Sequence, residues 1–407
     1  MRLAIAIAAL LTPLSVEGQT FRFAGRAAAG EVQVAPDREY REGYGFEPGD
    51  SRRFSVALPE GNYRVTVVLG DAKAASDTTI KAEARRLMLR DVRTKRGKFD
   101  TRSFIVNTRT ADLPPPPENA PGGARVRLNA REAGSPTWDE KLTIEMVGPA
   151  PHVASLRIEP VTAPTIFLFG DSTVTDQRCE RGASWGQMLP RFLTSDIAVA
   201  NHAESGETMK SFLTGLRLDK ALSFMKPGDF ALIQFGHNDQ KANWPQTHAA
   251  AATTYRSYLR TYIAEVRRLG ATPILVTSPE RRNFNADGSI RHTLADYAEA
   301  ARIVAKEEGV TLVDLNAASA RFYQALGPTL APLAFGNDGK DGTHHNNYGA
   351  YMLARIVIEG IRAAGSPLAA RIAPDLEPFD IMHPILPADF KIAPSFTCAS
   401  NPRPAGN

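Results

Sequence analysis

Thr165-Ile166-Phe167-Leu168-Phe169-Gly170-Asp171-Ser172-Thr173 is a short, mostly apolar run that stops in a Gly-Asp-Ser-Thr turn. A strand buried on both faces reads this way, and such strands belong to parallel sheets covered by helices. Four more runs of the same kind follow: 198–201, 230–235, 273–277 and 310–315. Helical periodicity lies between them. Tyr255, Tyr258, Leu259, Tyr262, Ile263, Val266 and Leu269 recur at three- and four-residue steps, which predicts a helix over 249–269 with Gly270 ending it. Further helices are predicted over 293–308 and 347–363, the latter with Ala350, Leu353, Val357, Ile358 and Ile361 on one face. Alternating strands and helices give an α/β domain with a doubly wound parallel sheet. Such sheets carry their sites at the carboxyl ends of the strands. Chemistry is therefore expected in the loops after Phe169, Asn201, Phe235 and Thr277.

Upstream, residues 20–160 have a period of two. Phe54, Val56 and Leu58 alternate with polar residues, Pro59-Glu60-Gly61-Asn62 is a turn cluster, and Tyr63, Val65 and Val67 resume the alternation, predicting a hairpin. Phe104/Val106, Val126/Leu128, Leu142/Ile144/Met146 and Leu156/Ile158 repeat the pattern. The prolines 114–117 exclude a central strand there. Many short strands with few helix signals predict an all-β sandwich.

Each expected loop holds polar residues of a particular kind. Gly170-Asp171-Ser172-Thr173 follows the first run, Ser205-Gly206-Glu207-Thr208 the second and Gly236-His237-Asn238-Asp239 the third, while Asp341-Gly342-Thr343-His344 precedes the last helix. Acyl transfer needs a nucleophile, a base, a group that orients the base, and donors for the oxyanion. Ser172 fits the nucleophile, His344 the base and Asp341 the orienting carboxylate. The backbone N–H groups of Ser172 and Gly206 and the side-chain amide of Asn238 fit the oxyanion hole. His345 also qualifies as a base by composition. His237, Trp185 and Trp244 are candidates for contact with substrate, although a Trp at a Ser-Trp-Gly-Gln helix start also suits packing. Trp138 and Tyr44 suit the sandwich core better than a sugar platform. No metal or other cofactor is expected, because side chains of adjacent His residues diverge and no HExxH-like spacing exists.

Together these blocks resemble the SGNH (GDSL-type) hydrolase family over about residues 164–365. Within it, Phe169-Gly170-Asp171-Ser172-Thr173-Val174, Ser184-Trp185-Gly186-Gln187-Met188-Leu189-Pro190 and Asp341-Gly342-Thr343-His344 look most like rhamnogalacturonan acetylesterases. The resemblance implies a flavodoxin-like α/β/α serine esterase that removes O-acetyl groups from pectic polysaccharide through an acetyl-enzyme. It also implies a preceding β-sandwich, here of galactose-binding-like type, and the three-residue spacing that selects His344 over His345. Thr173 stands where the four-letter motif has Leu. Within the same fold the alternatives are an acetylxylan esterase, a lipase or a thioesterase. Outside it, the alternative is a non-catalytic carbohydrate-binding protein.

The 407 residues include 48 Lys+Arg and 44 Asp+Glu, a net charge of +4 that gives no nucleic-acid signature but is compatible with an acidic, galacturonate-containing polysaccharide. Residues 1–18 have the pattern of a signal peptide, with Arg2 before an apolar run too short to span a bilayer. A periplasmic or secreted protein is expected, without a membrane anchor after cleavage. Cys179 and Cys398 are the only cysteines, so export permits one bridge between them, against two separate thiols. The expected division is signal 1–18, carbohydrate-binding-like sandwich 19–162, catalytic domain 163–370 and Pro-rich tail 371–407.

Overall fold

The computed structural model describes residues 18–180 and 182–395. The signal segment up to residue 17 and Cys398 lie outside the described residues. Cys179 is disulfide-bonded.

The N-terminal strands are β1 (Gln19–Arg22), β2 (Glu31–Gln33), β3 (Tyr44–Glu47), β4 (Asp50–Ala57), β5 (Gly61–Leu69), β6 (Ser76–Ala82), β7 (Arg86–Thr94), β8 (Asp100–Thr108), β9 (Lys141–Ala150) and β10 (Val153–Pro160). They form two five-stranded sheets, ordered β2-β1-β10-β5-β8 and β3-β4-β9-β6-β7. All pairs are antiparallel except β1–β2. Inward residues of both sheets share one core, with Phe21, Val65, Val67 and Leu156 meeting Phe54, Ile80, Leu142 and Ile144. The expected sandwich is therefore present, but the expected hairpin is not. β4 pairs with β3 and β9, whereas β5 pairs with β10 and β8. The turn after Ala57 carries the chain from one sheet to the other. Its polar groups are taken by neighbours, not by each other: Leu58 N–H donates to Glu140 O (3.0 Å), and Tyr63 and Thr108 hydroxyls donate to Pro59 O (2.8 and 3.2 Å). Val126 and Leu128 lie in a loop, not a strand. Trp138 and Tyr44 pack, the first against Arg109 and His202, the second against Phe21 and Phe54.

The second half holds β11 (Thr165–Gly170), β12 (Ala198–Asn201), β13 (Phe230–Gln234), β14 (Thr272–Val276) and β15 (Thr311–Val313). All are parallel, in the order β12-β11-β13-β14-β15. This doubly wound order reverses direction beside β11. The helices are α1 (Trp185–Met188), α2 (Met209–Thr214), α3 (Arg217–Leu222), α4 (Arg256–Arg268), α5 (Ala295–Glu308), α6 (Leu315–Leu330) and α7 (Asn347–Ala363). Successive strand residues face opposite layers. Ile166 and Leu168 join the core with α1, α6 and α7, while Phe167 and Phe169 join the one with α2, α4 and α5. The two halves interlock. Leu87 of β7 lies in the α/β core, and Gln187 on α1 donates to Ala84 O (2.6 Å). Residues 371–395 pack back on the body, with Phe390 against Tyr348 and Tyr351 and Lys81 donating to Ala393 O (2.8 Å).

Candidate active site

β11 delivers the chain to a turn in which the N–H groups of Val174 and Thr175 both donate to Asp171 O (3.1 and 3.0 Å). Gly170 permits it: a Cβ there would lie 2.5 Å from Val174 Cγ2 and 2.8 Å from Gln234 O. Ser172 sits on this turn. A buried polar network supports it. The Thr173 hydroxyl meets Asp171 Oδ1 (2.8 Å) and Gln234 Oε1 (3.1 Å), and Trp185 Nε1 donates to the same Gln234 oxygen (2.8 Å). The Leu of the four-letter motif could not make these contacts of the Thr173 hydroxyl.

Ser172 Oγ lies 2.9 Å from His344 Nε2, and His344 Nδ1 lies 2.9 Å from Asp341 Oδ2. The three-residue spacing works because Asp341 closes a tight turn, its Oδ1 accepting from the N–H groups of Thr343 (2.7 Å) and His344 (2.9 Å). Burial alone would raise the Asp341 carboxyl. The His344 ring and the two N–H groups outweigh it and hold the carboxyl well below the usual range. From the loop after β14, Arg282 donates to Gly339 O (2.7 Å) through its side chain and to Gly342 O (2.8 Å) through its backbone. His345 points away. It is buried, 2.8 Å from the Tyr323 hydroxyl with its ring tilted against Phe335 at 4.4 Å, and burial pushes its imidazole down to about 3.

After β12, residues 204–207 form a turn closed by Glu207 N–H donating to Glu204 O (3.2 Å), with Gly206 at φ +84°, which favours glycine. After β13, Asn238 Nδ2 donates to Glu207 O (3.0 Å) and Lys241 Nζ donates to Asn238 Oδ1 (2.9 Å). The amide is thus fixed in orientation with one N–H hydrogen to spare. Among the described residues, no backbone acceptor takes the N–H of Ser172 or Gly206. Asp239 reaches across instead, its Oδ1 accepting from Met209 N–H (3.0 Å) at the start of α2, and burial raises its carboxyl to about 7.

One expected substrate contact is corrected. Trp185 is fully buried with its indole N–H committed to Gln234, so it is part of the core. His237 is also buried, with Nδ1 3.4 Å from Asp171 Oδ2. Burial lowers its basicity more than that carboxylate raises it, and the ring backs the Ser172 turn, buried to about the same extent as Ser172 and Asn238 themselves. Trp244 is exposed, on the loop that leaves Asn238. Sequence reasoning missed Gln234 and Lys241, and missed the residues that hold the 204–207 turn. Only Lys241 left a signal, the three-residue step from Asn238.

Residues 168–352 match the GDSL-like Lipase/Acylhydrolase family. The chain is 37% identical over 216 residues to rhamnogalacturonan acetylesterase RhgT of Bacillus subtilis (strain 168), covering 50% of this chain and 91% of that protein. It is 36% identical over 210 residues to the probable rhamnogalacturonan acetylesterase YesY of the same organism (51% and 96% covered). The uncharacterized esterase YxiM, also from that strain, is 29% identical over 343 residues (83% and 81%). A solved structure of YxiM superposes with a TM-score of 0.48 and 25% identity, covering 86% of this chain and 99% of that one. With a parallel sheet that places serine, glycine, asparagine and histidine blocks in this order, the chain belongs to the GDSL-like lipase/acylhydrolase family and is an SGNH-type esterase.

Proposed function

We propose that this esterase removes O-acetyl groups from a pectic polysaccharide of the rhamnogalacturonan kind, with Ser172 as nucleophile. One observation carries the mechanism: the unbroken line of 2.9 Å contacts from Ser172 Oγ through His344 to Asp341, beside Gly206 and Asn238. His344 Nε2 takes the Ser172 proton as Oγ attacks the acetyl carbonyl. The oxyanion accepts from the N–H groups of Ser172, Gly206 and Asn238. His344 then returns the proton to the departing sugar hydroxyl. Water attacks the acetyl-enzyme by the same route and releases acetate. Asp341 keeps Nδ1 protonated and Nε2 basic.

The pectic substrate is supported by RhgT and YesY, both named as rhamnogalacturonan acetylesterases. Action outside the cytoplasm is supported by the N-terminal pattern and by the disulfide-bonded state of Cys179. Trp244 and His237 remain the proposed substrate contacts. Acetate release should be measured on acetylated rhamnogalacturonan, homogalacturonan, xylan and mannan, with Ser172→Ala alongside. The first substrate is expected to be fastest and the variant inactive. Faster release from xylan would reassign the substrate, and turnover by Ser172→Ala would remove the nucleophile.

A further inference from the structure

The loop from β8 to β9 leaves the sandwich and ends against the 204–207 turn. It is a preformed structure. Asn129 N–H donates to Glu132 Oε2 (2.9 Å), Glu132 N–H donates to Asn129 O (3.0 Å), and Trp138 Nε1 donates to Glu132 Oε1 (2.9 Å). Two adjacent side chains link it to the two ends of the turn, Arg131 directly and Glu132 through Arg217. The Arg131 guanidinium pairs with Glu204 Oε1, the same oxygen that accepts the Ser205 N–H (2.7 Å). Glu132 grips Arg217 in a fork (2.9 and 2.5 Å), and Arg217 Nε donates to Glu207 Oε1 (3.2 Å). The carbonyl of that same Glu207 receives the Asn238 amide (3.0 Å). Glu132, Arg217 and Glu204 are all buried. We propose that Arg131 and Glu132 are positioning residues for the oxyanion hole, so that the sandwich supplies part of the catalytic geometry.

The physical reason is the tolerance of the hole. A donor contributes only when it lies within hydrogen-bond reach of the developing oxyanion, and a shift of about 1 Å costs up to about 100-fold in rate. Within the turn the backbone makes one 3.2 Å bond and Gly206 has φ of +84°. Glu204 N–H donates to Gly170 O (3.1 Å) and Ser211 Oγ donates to Glu207 Oε2 (2.5 Å), which tie its ends but leave the charged side chains of Glu204 and Glu207 to be held from the sandwich side. Buried charges at both ends have a single low-energy arrangement, because each left unpaired is costly. Fork-to-carboxylate geometry fixes direction as well as distance. The turn is thereby clamped between Arg131 and the Glu132–Arg217 pair, with Gly206 in the middle.

The inference rests on the assignment of Ser172, Gly206 and Asn238, and its test needs only a simple ester. Hydrolysis of p-nitrophenyl acetate should be compared for the full chain and for Arg131→Met, Arg131→Lys and Glu204→Gln. The last keeps an acceptor for Ser205 N–H and loses the charge pair. Arg131→Met and Glu204→Gln are expected to lower kcat by roughly ten- to 100-fold with KM near wild type, and Arg131→Lys to recover part of the loss. The same changes in an Asn238→Ala background should cost much less, because the hole is already broken. Unchanged kcat in a folded Arg131→Met, or equal fold losses in both backgrounds, overturns the proposal. If Arg131→Met does not fold, Glu204→Gln decides by the same criteria. Absence of Ser172-dependent turnover in the wild type overturns the site assignment and this proposal together, whereas turnover indifferent to these substitutions overturns this proposal alone.

Discussion

The roles proposed for Ser172, Gly206, Asn238, Asp341 and His344 are ones that few other residue types can fill, and this is why these residues were legible from type and order alone. Asn238 donates with one N–H to Glu207 O and has its oxygen held by Lys241, so the second N–H is aimed before substrate arrives. Asn238→Ala should lower kcat by about 100- to 1000-fold with the fold intact, as loss of one oxyanion donor does elsewhere; a kcat near wild type would take Asn238 out of the hole. Asp341→Asn should lower kcat by about 10,000-fold, because the amide favours the wrong His344 tautomer. It should also change stability in a pH-dependent way. The folded Asp341 carboxyl titrates below its unfolded value of about 3.9. Its contribution is full above that value and is lost as pH falls through the folded one. The melting-temperature gap between wild type and Asp341→Asn should therefore be widest near neutrality and narrow in acid; a gap constant from pH 7 to 3 contradicts this. Trp185 is misread from sequence for the opposite reason. An aromatic ring near a motif serves packing or contact equally well, and full burial with the indole N–H on Gln234 makes this one packing.

At the level of elements, periodicity succeeded where a segment has one buried face and enough length. α7 occupies 347–363 as predicted, and α5 begins at Ala295 instead of 293. It failed for α2 and α3, six residues each, which are too short to show a stripe. It failed for α6 because Val310–Leu315 reads as one strand, whereas β15 ends at Val313 and Asp314 caps a helix. The hairpin of β6 and β7 left no signal, because Thr78, Thr79, Lys81 and Arg86 are buried polar residues that interrupt the alternation. Its turn contains Glu83, with φ of +55° and a carboxylate oxygen accepting the Thr143 N–H at 3.0 Å. Burial raises this carboxyl to about 8, against the lowering influence of Arg86 and Arg109. An unfolded Glu releases its proton near pH 4.3. Between those values the folded chain holds a proton that the unfolded chain has lost, so stability falls as pH rises through this window. Glu83→Gln keeps the acceptor without the ionisation. In urea unfolding it should match the wild type near pH 4 and exceed it at pH 8; parallel stability curves would show that Glu83 does not titrate in this way.

Across the whole molecule, the sandwich and the α/β half meet through buried charge. Arg86 donates to Asp176 Oδ2 at 2.7 Å, and Asn201 holds the other Asp176 oxygen at 2.8 Å. Arg86 also donates to Asn107 O (3.0 Å) and to Val199 O (3.2 Å), so one side chain joins β7, β8 and β12. Arg85 donates to the carbonyls of Gln177 (3.1 Å), Cys179 (2.6 Å) and Gly182 (3.0 Å) in the segment that follows the Ser172 turn. These contacts argue against a detachable carbohydrate-binding module, because separation would leave Asp176 and Arg217 buried or newly exposed without their partners. Charge pairing across the join was invisible in the sequence, where Arg86 and Asp176 are only two of many surface-type residues. The prediction that follows compares two ion pairs. Arg86 and Asp176 have side chains 2% and 1% exposed, whereas Arg102 and Asp100 are 50% and 32% exposed at 2.9 Å. Arg86→Ala strands a buried carboxylate and should cost about 3–5 kcal/mol in urea unfolding, while Arg102→Ala should cost less than about 1 kcal/mol. Because Asp176 is held from both halves, Arg86→Ala should loosen both together and shift one cooperative transition instead of splitting it. Two separated transitions in the wild type, or equal costs for the two substitutions, would mean that the halves fold independently and that the Arg86–Asp176 pair does not bind them into one unit.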